Sequence, residues 1–188
     1  APGGNISSVR YVINRFAAEN DGPKRIVAAM PENGGLAKAL NHGLANSKSL
    51  FIARIDSDDV MESVRLKIQE EILQDESIIC VGSQLRIMDH SGTTVRYTHY
   101  PTTAHSIKAS LRIRNVVAHP SVMYRRSEAL GVGGYNSKFD GAEDYDLWIR
   151  LSRIGKVVNV DKPLTNYRLH QNQSSIRNKD IQVALDAR

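Results

Sequence analysis

The 188-residue sequence has a single cysteine, Cys80, and it lacks any long hydrophobic run. One thiol excludes an internal disulfide, and the apolar context IICVG predicts that Cys80 is buried and unreactive. A stretch of about 18 or more apolar residues is needed to span a bilayer, so the sequence predicts no membrane-spanning helix. No signal peptide is recognisable either. These absences predict one globular domain in a reducing compartment, and we expect the protein to be cytoplasmic.

Nucleic-acid-binding motifs and stretches of interleaved aromatic and basic residues are also missing, and aromatic residues make up only 6% of the chain. We therefore expect no nucleic-acid partner. The net charge of +5 and the isoelectric point near 9.4 instead favour an anionic partner, either a phosphorylated ligand or an anionic lipid surface. The basic residues are scattered rather than clustered, and any contact with a membrane is expected to be peripheral and at its inner face.

The chain does contain alternating helix-like and strand-like segments. Apolar residues recur with helical spacing over 9–17 and 36–44, and the apolar runs at 25–29 and 50–55 are typical of strands. The second helix would bury a face that consists of Leu36, Ala39, Leu40, Gly43 and Leu44. The 50–55 strand is apolar apart from Arg54, as expected of a strand buried between helices. The alternation predicts an α/β fold whose open sheet is largely parallel.

Three carboxylates, Asp56, Asp58 and Asp59, follow the last of these strands directly. In open α/β sheets, ligands bind in the crevice at the carboxyl ends of the strands, which is where this cluster would lie. An Asp-x-Asp pair can coordinate a hard divalent cation that bridges phosphate oxygens. By itself the tripeptide is unspecific, because so short a pattern often occurs by chance.

A helix cap is a simpler explanation for part of the cluster. Asp59 and Glu62 form a variant of the capping box ahead of a helix whose apolar residues are Val64, Ile68 and Ile72. A cap at Asp59 leaves the other two carboxylates unexplained.

Two other acidic-loop sites do not match the sequence. An EF-hand calcium loop is excluded, because Met61 stands where glycine is required and Lys67 where the bidentate glutamate belongs. A haloacid-dehalogenase-like phosphatase would need threonine in place of Val60.

The stretch GAEDYDLWIRL, residues 141–151, predicts a helix whose buried face consists of Leu147, Trp148, Leu151 and Ile154. Asp144 lies on that same face, at its N-terminal end. There it can either interact favourably with the helix dipole or face an enclosed site, and both readings stay open. Asp146 and Arg150, by contrast, are expected to form an ordinary surface pair.

Four segments in this order resemble the nucleotide-sugar glycosyltransferases of family 2, which have a GT-A fold. They are PENGGLAKALNHGL (31–44), FIARIDSDD (51–59), HPSVMYRR to GGYN with GAEDYDLWIRL (119–151), and NYRLHQNQSS (166–175). The resemblance implies a Rossmann-like open mixed sheet with helices on both faces. It covers most of the chain, and the order of the segments makes it specific.

The resemblance implies roles for individual residues. Asp56 and Asp58 match the motif that holds a divalent cation, Mn²⁺ or Mg²⁺, against the nucleotide diphosphate, and Asp56 also touches the nucleotide. Asp144 matches the proposed general base, and His170 matches a histidine that ligates the same metal in several relatives. The other matching residues are Asn33, Gly35 and Lys38 beside the nucleotide, and Glu143 and His119 on the acceptor side. Gly35 also fits a helix-entry turn, and both His170 and His119 also fit purely structural positions.

Residues 79–88 and 93–99 read as a hairpin around the turn at 89–92, and we expect it to shape the acceptor side. One departure from the family concerns the start of the chain. The family begins with a strand, a helix and a second strand, whereas this sequence opens near APGG, just after that unit. We therefore expect one catalytic domain over residues 1–188 that is incomplete at its N-terminus, with low activity in isolation.

The implied function is inverting transfer of a sugar from a nucleotide-diphosphate donor, expected to be a UDP-sugar, to a hydroxyl of a saccharide or lipid-linked acceptor. Such a reaction belongs to the synthesis of surface polysaccharide or glycolipid. Two alternatives stay open. One is a metal-dependent nucleotidyltransferase, although the basic glycine-rich phosphate signature expected of it is missing. The other is an inactive relative that only binds carbohydrate or nucleotide.

Overall fold

The computed structural model describes residues 34–139 and 141–169, which form five α-helices and six β-strands. The helices are α1 (Leu36–Asn46), α2 (Arg65–Ile72), α3 (Ala104–Ser110), α4 (Arg126–Gly131) and α5 (Glu143–Ile154). The strands are β1 (Phe51–Ala53), β2 (Val60–Met61), β3 (Ile78–Met88), β4 (Thr94–Tyr97), β5 (Met123–Arg125) and β6 (Lys156–Arg168). The helix and strand predicted at 9–17 and 25–29 lie outside the described residues.

The strands form one open mixed sheet in the order β1-β5-β3-β6-β2, and β4 pairs with β3 outside this path. This confirms the predicted fold class. Among the described strands, however, only β3 and β6 pair in parallel, so the expectation of largely parallel strands is wrong for this part of the chain. For β3 and β4 the reason is their connection, because a tight turn can join only antiparallel neighbours.

The β3–β4 hairpin forms around the predicted turn. The side chain of Asp89 accepts hydrogen bonds from the backbone N–H groups of Ser91 and Thr93, each at 2.9 Å. Gly92 has φ of +88°, a backbone conformation that favours glycine. The turn predicted at 89–92 is therefore the one that closes the hairpin, and Asp89 and Gly92 stabilise it.

Helix α5 supplies the centre of the main core. Leu147, Trp148 and Leu151 are fully buried, as predicted, and Cys80 is buried beside them in the same cluster. Burial raises the pKa of the Cys80 thiol, which keeps it protonated. The prediction was wrong for Ile154, which is 58% exposed, because it is the last residue of α5 and lies beyond the packed face.

Helix α1 begins where predicted and runs two residues further, to Asn46, but its buried face is rotated by about one residue. Ala37 and Leu44 are buried, whereas Leu36 is 42% exposed. The face includes Asn41, whose side chain donates to the Tyr135 carbonyl at 2.7 Å and accepts from the Tyr135 N–H at 2.8 Å. Because Asn41 is polar, a search for apolar positions assigned the wrong face of α1 to the core.

The strand predicted at 50–55 is shorter than expected. β1 covers only Phe51–Ala53, with Leu50 81% exposed and Ile55 40% exposed. Phe51 and Ile52 are half-buried and Ala53 is exposed, so the expectation of full burial between helices was wrong. The apolar run therefore overstates the buried length of this strand.

The capping-box interpretation of Asp59 and Glu62 is wrong. Strand β2 lies between Asp59 and α2, whose N-cap residue Val64 makes no side-chain cap hydrogen bond. Glu62 instead accepts a hydrogen bond of 2.8 Å from the Asn166 side chain. The buried residues of α2 are polar, Arg65 and Gln69, rather than the predicted apolar ones.

None of the helices within residues 34–139 and 141–169 combines the length and hydrophobicity that crossing a membrane requires.

Candidate active site

The acidic turn after β1 is anchored by Arg54. Its N–H donates to the Val122 carbonyl at 3.0 Å, which continues the contact between β1 and β5. Its guanidinium binds both carboxylate oxygens of Asp56, with 2.5 Å from Nη1 to Oδ2. The Asp56 carbonyl then accepts from the Asp59 N–H at 3.2 Å, which closes the turn. The turn therefore places the Asp56 carboxylate against the positively charged side chain of Arg54.

The end of β6 meets the same turn. The Arg168 N–H donates to Asp59 Oδ1 at 2.9 Å, and Arg168 Nε donates to the Asp58 carbonyl at 3.2 Å. Asp59 is 9% exposed, and within the described residues its Oδ2 atom has no hydrogen-bond partner. Burial, and then the nearby Asp56 and Asp58, raise its pKa to about 6, although the Arg168 N–H acts in the opposite direction. His170, two residues further on, lies outside the described residues.

The donor chemistry of this turn fits a hard divalent cation. Carboxylate oxygens are the ligands that Mn²⁺ and Mg²⁺ prefer, and this turn carries three carboxylates: Asp56, which binds Arg54, Asp58, and Asp59, whose Oδ2 has no hydrogen-bond partner within the described residues. Over residues 34–139 and 141–169, no group of three or more His, Cys, Asp or Glu side chains has the geometry of a metal site.

Asp144 lies in the first turn of α5 and is half-buried. Its Oδ2 accepts a hydrogen bond of 3.0 Å from the Asn115 side chain. Burial and then the charge of Glu143 raise its pKa to about 6, against opposing contributions from the Tyr145 N–H, Asn115 and Arg54. A carboxylate with a pKa near 6 is ionised at neutral pH yet basic enough to accept a proton.

The two residues assigned to the acceptor side are both buried. Glu143 is 3% exposed, and its Oε2 accepts from the Gly141 N–H at 2.6 Å. His119 is 8% exposed, with Nε2 lying 3.0 Å from the Tyr135 hydroxyl and its ring edge-on to Trp148. Burial, and then the charge of Arg54, lower the pKa of His119 well below its usual value, so the ring is neutral.

The Asp146–Arg150 pair forms as predicted, with 2.5 Å between Arg150 Nη2 and Asp146 Oδ2, but it is not an ordinary surface pair. Both side chains are only about a fifth exposed, at 18% and 21%. Arg150 also donates to the carbonyls of Val132 and Gly134, each at 2.7 Å. The pair therefore ties α5 to the turn that follows α4.

The predicted nucleotide-side residues are only partly described. Gly35 precedes α1 with φ of +85°, which matches the helix-entry turn expected from the sequence. Lys38 is exposed on the first turn of α1. Asn33 lies outside the described residues.

Sequence reasoning missed Arg54 and Asn115, which contact the two candidate carboxylates. Arg54 is the only charged residue in the apolar run at 50–55, and this exception could have marked it as a functional residue. Asn115 lies in a loop, 29 positions from Asp144, and no local pattern marks it.

The sequence of this chain is similar to those of known glycosyltransferases. The family model described as Glycosyl transferase family 2 matches residues 8–131. The chain belongs to glycosyl transferase family 2. It is 34% identical over 142 residues to the O-antigen biosynthesis glycosyltransferase WbnJ of Escherichia coli. The aligned region covers 74% of this chain and 55% of that protein. The chain thus spans about half the length of this relative.

Solved structures show the same fold at low sequence identity. S. aureus TarS 1-349 in complex with UDP-GlcNAc has a TM-score of 0.66 at 16% identity, covering 89% of this chain and 48% of that one. The mannosyltransferase PcManGT from Pyrobaculum calidifontis, in complex with GDP-Man and Mn²⁺, has a TM-score of 0.58 at 15% identity, covering 82% and 41%. The fold of this family 2 member is therefore GT-A.

Proposed function

We propose that this chain carries the catalytic site of an inverting glycosyltransferase that uses a UDP-sugar and a divalent cation. The observation that carries the proposal is the turn after β1, where Asp56 and Asp58 follow the end of a strand and Arg168, at the end of β6, donates hydrogen bonds to Asp58 and Asp59. The complexes of TarS with UDP-GlcNAc and of PcManGT with GDP-Man and Mn²⁺ support it.

In the proposed site, Asp56 and Asp58, together with His170, would hold Mn²⁺ or Mg²⁺. When bound, the cation neutralises the charge that develops on the leaving diphosphate. Asn33, Gly35 and Lys38 lie on the nucleotide side, and the remaining contacts to the base are left unassigned.

Asp144 is the proposed general base. It accepts the proton of the acceptor hydroxyl as that oxygen forms its bond to the anomeric carbon, while the bond to the diphosphate oxygen breaks and UDP leaves with the electron pair. A single displacement of this kind inverts the anomeric configuration. Asn115 orients the carboxylate through its 3.0 Å hydrogen bond, while Glu143 and His119 support the acceptor side from buried positions.

The acceptor is proposed to be a saccharide or a lipid-linked saccharide, in the synthesis of surface polysaccharide or glycolipid. The name of the WbnJ relative supports this. The net charge of +5 supports a cytoplasmic protein that rests on the inner face of the membrane, where lipid-linked acceptors lie. No nucleic-acid partner is proposed.

The test of the function is turnover on a panel of donors. The chain is incubated with a panel of saccharide acceptors and with UDP-glucose, UDP-galactose, UDP-GlcNAc, UDP-GalNAc or GDP-mannose, in the presence of Mg²⁺ or of chelator. The proposal predicts that one UDP-sugar releases UDP only when the cation is present. In a parallel incubation with UTP and the corresponding sugar 1-phosphates, release of pyrophosphate would show a nucleotidyltransferase instead. Metal-dependent UDP binding with no release from any donor would show an inactive relative.

A further inference from the structure

Helix α2 buries two polar side chains, Arg65 and Gln69, one turn apart and both 0% exposed. Buried positions of an amphipathic helix are normally apolar, and charged residues are rarely buried completely. Burial lowers the pKa of Arg65 to about 10, which leaves the guanidinium charged at neutral pH. A charge in this position therefore needs an explanation.

The Arg65 guanidinium makes five hydrogen bonds, as many as it has N–H groups. The acceptors are the carbonyls of Arg54 (2.6 Å), Pro120 (2.8 Å) and Val122 (3.0 Å), the Thr165 hydroxyl (3.3 Å) and the Gln69 side-chain oxygen (3.0 Å). These groups belong to the acidic turn, the segment that leads into β5, strand β6 and α2 itself. One side chain thus joins four separate parts of the fold.

Gln69 extends the same network on its other side. Its Nε2 atom donates to the Ser121 carbonyl at 2.7 Å and to the Val81 carbonyl at 2.8 Å. Every polar group of the Arg65 and Gln69 side chains therefore has a partner, and the pair fixes the 119–121 segment relative to β3.

No ion pair explains the burial of this charge, because within the described residues the guanidinium has no carboxylate among its hydrogen-bond partners. What a planar guanidinium does supply is a fixed distance and angle between the carbonyls it binds. The nearest of these, at 2.6 Å, belongs to Arg54, two residues before Asp56.

We propose that Arg65, supported by Gln69, is a positioning residue for the donor site: it holds the turn of Asp56 and Asp58 in register with β6. The inference rests on the proposed function of those two carboxylates. Arg65 contacts no reacting atom in this account. Groups behind metal ligands commonly set metal affinity in this way, because they fix the orientation of the ligands.

The test uses Arg65→Lys, which keeps the charge and most of the stem but cannot span four segments with one nitrogen. Binding of Mn²⁺ alone, and of UDP in the presence of Mn²⁺, is measured by calorimetry at a temperature where the protein is fully folded. We expect both affinities to fall by roughly 10- to 100-fold, the range found when the groups behind metal ligands are removed.

Arg125→Lys is the matched control. Arg125 also binds backbone carbonyls, those of Ile78, Leu73 and Asp75, but none of them belongs to the acidic turn. Its replacement should lower the melting temperature and leave both affinities within about twofold of wild type, because equilibrium affinity reports only on the folded protein.

The outcomes separate this inference from the proposed function. If wild type binds UDP and Arg65→Lys binds it equally well, the positioning role is wrong. Equal losses in the Arg65 and Arg125 variants would contradict it as well. If wild type binds no UDP, the proposed function falls and this inference with it. Should Arg65→Lys not fold, Gln69→Met replaces it, and wild-type affinity in that variant would overturn the proposal.

Discussion

Arg54 is the cation around which the candidate carboxylates are arranged. It is bound to Asp56 through both carboxylate oxygens, and its charge also opposes the upward pKa shifts of Asp59 and Asp144. Its influence therefore reaches both the proposed donor side and the proposed base. A single guanidinium would make a site with several carboxylates electrostatically tolerable before any ligand binds.

Replacing Asp144 by asparagine tests its role as the base. The amide can still accept the hydrogen bond from Asn115, but it cannot accept a proton. Turnover should fall by roughly 10²- to 10⁴-fold, the usual range for loss of a general base, while UDP affinity stays close to wild type. Steady-state kinetics and calorimetry measure the two effects.

Asp161→Asn is the control, because Asp161 is an exposed carboxylate on β6. Asp146 would be a poor choice, since its pair with Arg150 is largely buried. Equal small losses of turnover in the Asp144 and Asp161 variants would show that Asp144 is not the base.

The raised pKa of Asp144, about 6, predicts two opposite pH effects. Activity that requires the ionised base should rise with pH and level off above about pH 7. Stability should change the other way. A carboxyl group whose folded pKa lies above its unfolded value of about 4 stabilises the fold below pH 4, and that contribution is lost as pH rises through 6.

Asp144→Asn should therefore melt at a higher temperature than wild type at pH 8, and this advantage should disappear near pH 4. Thermal melts at the two pH values measure it. An advantage of equal size at both pH values would mean that the charge of Asp144 carries no stability cost.

Among the elements, α1 depends on a polar contact. Asn41 holds α1 to residue Tyr135 through two hydrogen bonds to its backbone. Asn41→Ala leaves an N–H and a carbonyl without these partners, and we expect a loss of about 2 kcal/mol in the free energy of unfolding. Urea denaturation measures it.

Asn46→Ala on the same helix is the matched control. Among the described residues, its side chain donates to the His42 carbonyl alone, in an exposed position. A loss of less than about 0.5 kcal/mol is expected there, as for most surface substitutions. Losses of similar size in the two variants would contradict the anchoring role of Asn41.

The helices show why sequence patterns located the elements better than their faces. The positions of α1, α5 and the β3–β4 hairpin follow from periodicity and turn residues. The buried faces of α1 and α2 do not, because Asn41, Arg65 and Gln69 occupy positions that a search for apolar residues passes over. Such residues are buried only because distant carbonyls satisfy them, and those partners are invisible in the local sequence.

The residues of the candidate site also fall into those that the sequence marked and those that it did not. Asp56, Asp58 and Asp144 could be singled out because short motifs and a strong family resemblance mark them. Their partners are less visible: Arg54 directly follows β1, two residues before Asp56, whereas Asn115 in a loop and Arg168 at the end of β6 are brought to the site only by the fold. Asp59 was misread as a cap because the sequence does not show that β2 separates it from α2.

For the whole molecule, the net charge of +5 predicts electrostatic attraction to anionic membranes. Sedimentation with vesicles containing phosphatidylglycerol should show binding at about 20 mM salt that weakens strongly by about 200 mM, because the Debye length falls with ionic strength. Vesicles of phosphatidylcholine alone are the control. Binding that is insensitive to salt, or missing at low salt, would contradict a peripheral role.

The central claim is that a nucleoside diphosphate binds through a divalent cation held by Asp56 and Asp58. Calorimetric titration of UDP into wild type and Asp58→Ala, each with Mn²⁺ and with chelator, tests it most directly. The account predicts that Mn²⁺ strongly tightens UDP binding to wild type and has little effect on the variant, because the cation loses a hard oxygen ligand. A metal requirement that is unchanged in Asp58→Ala would contradict it.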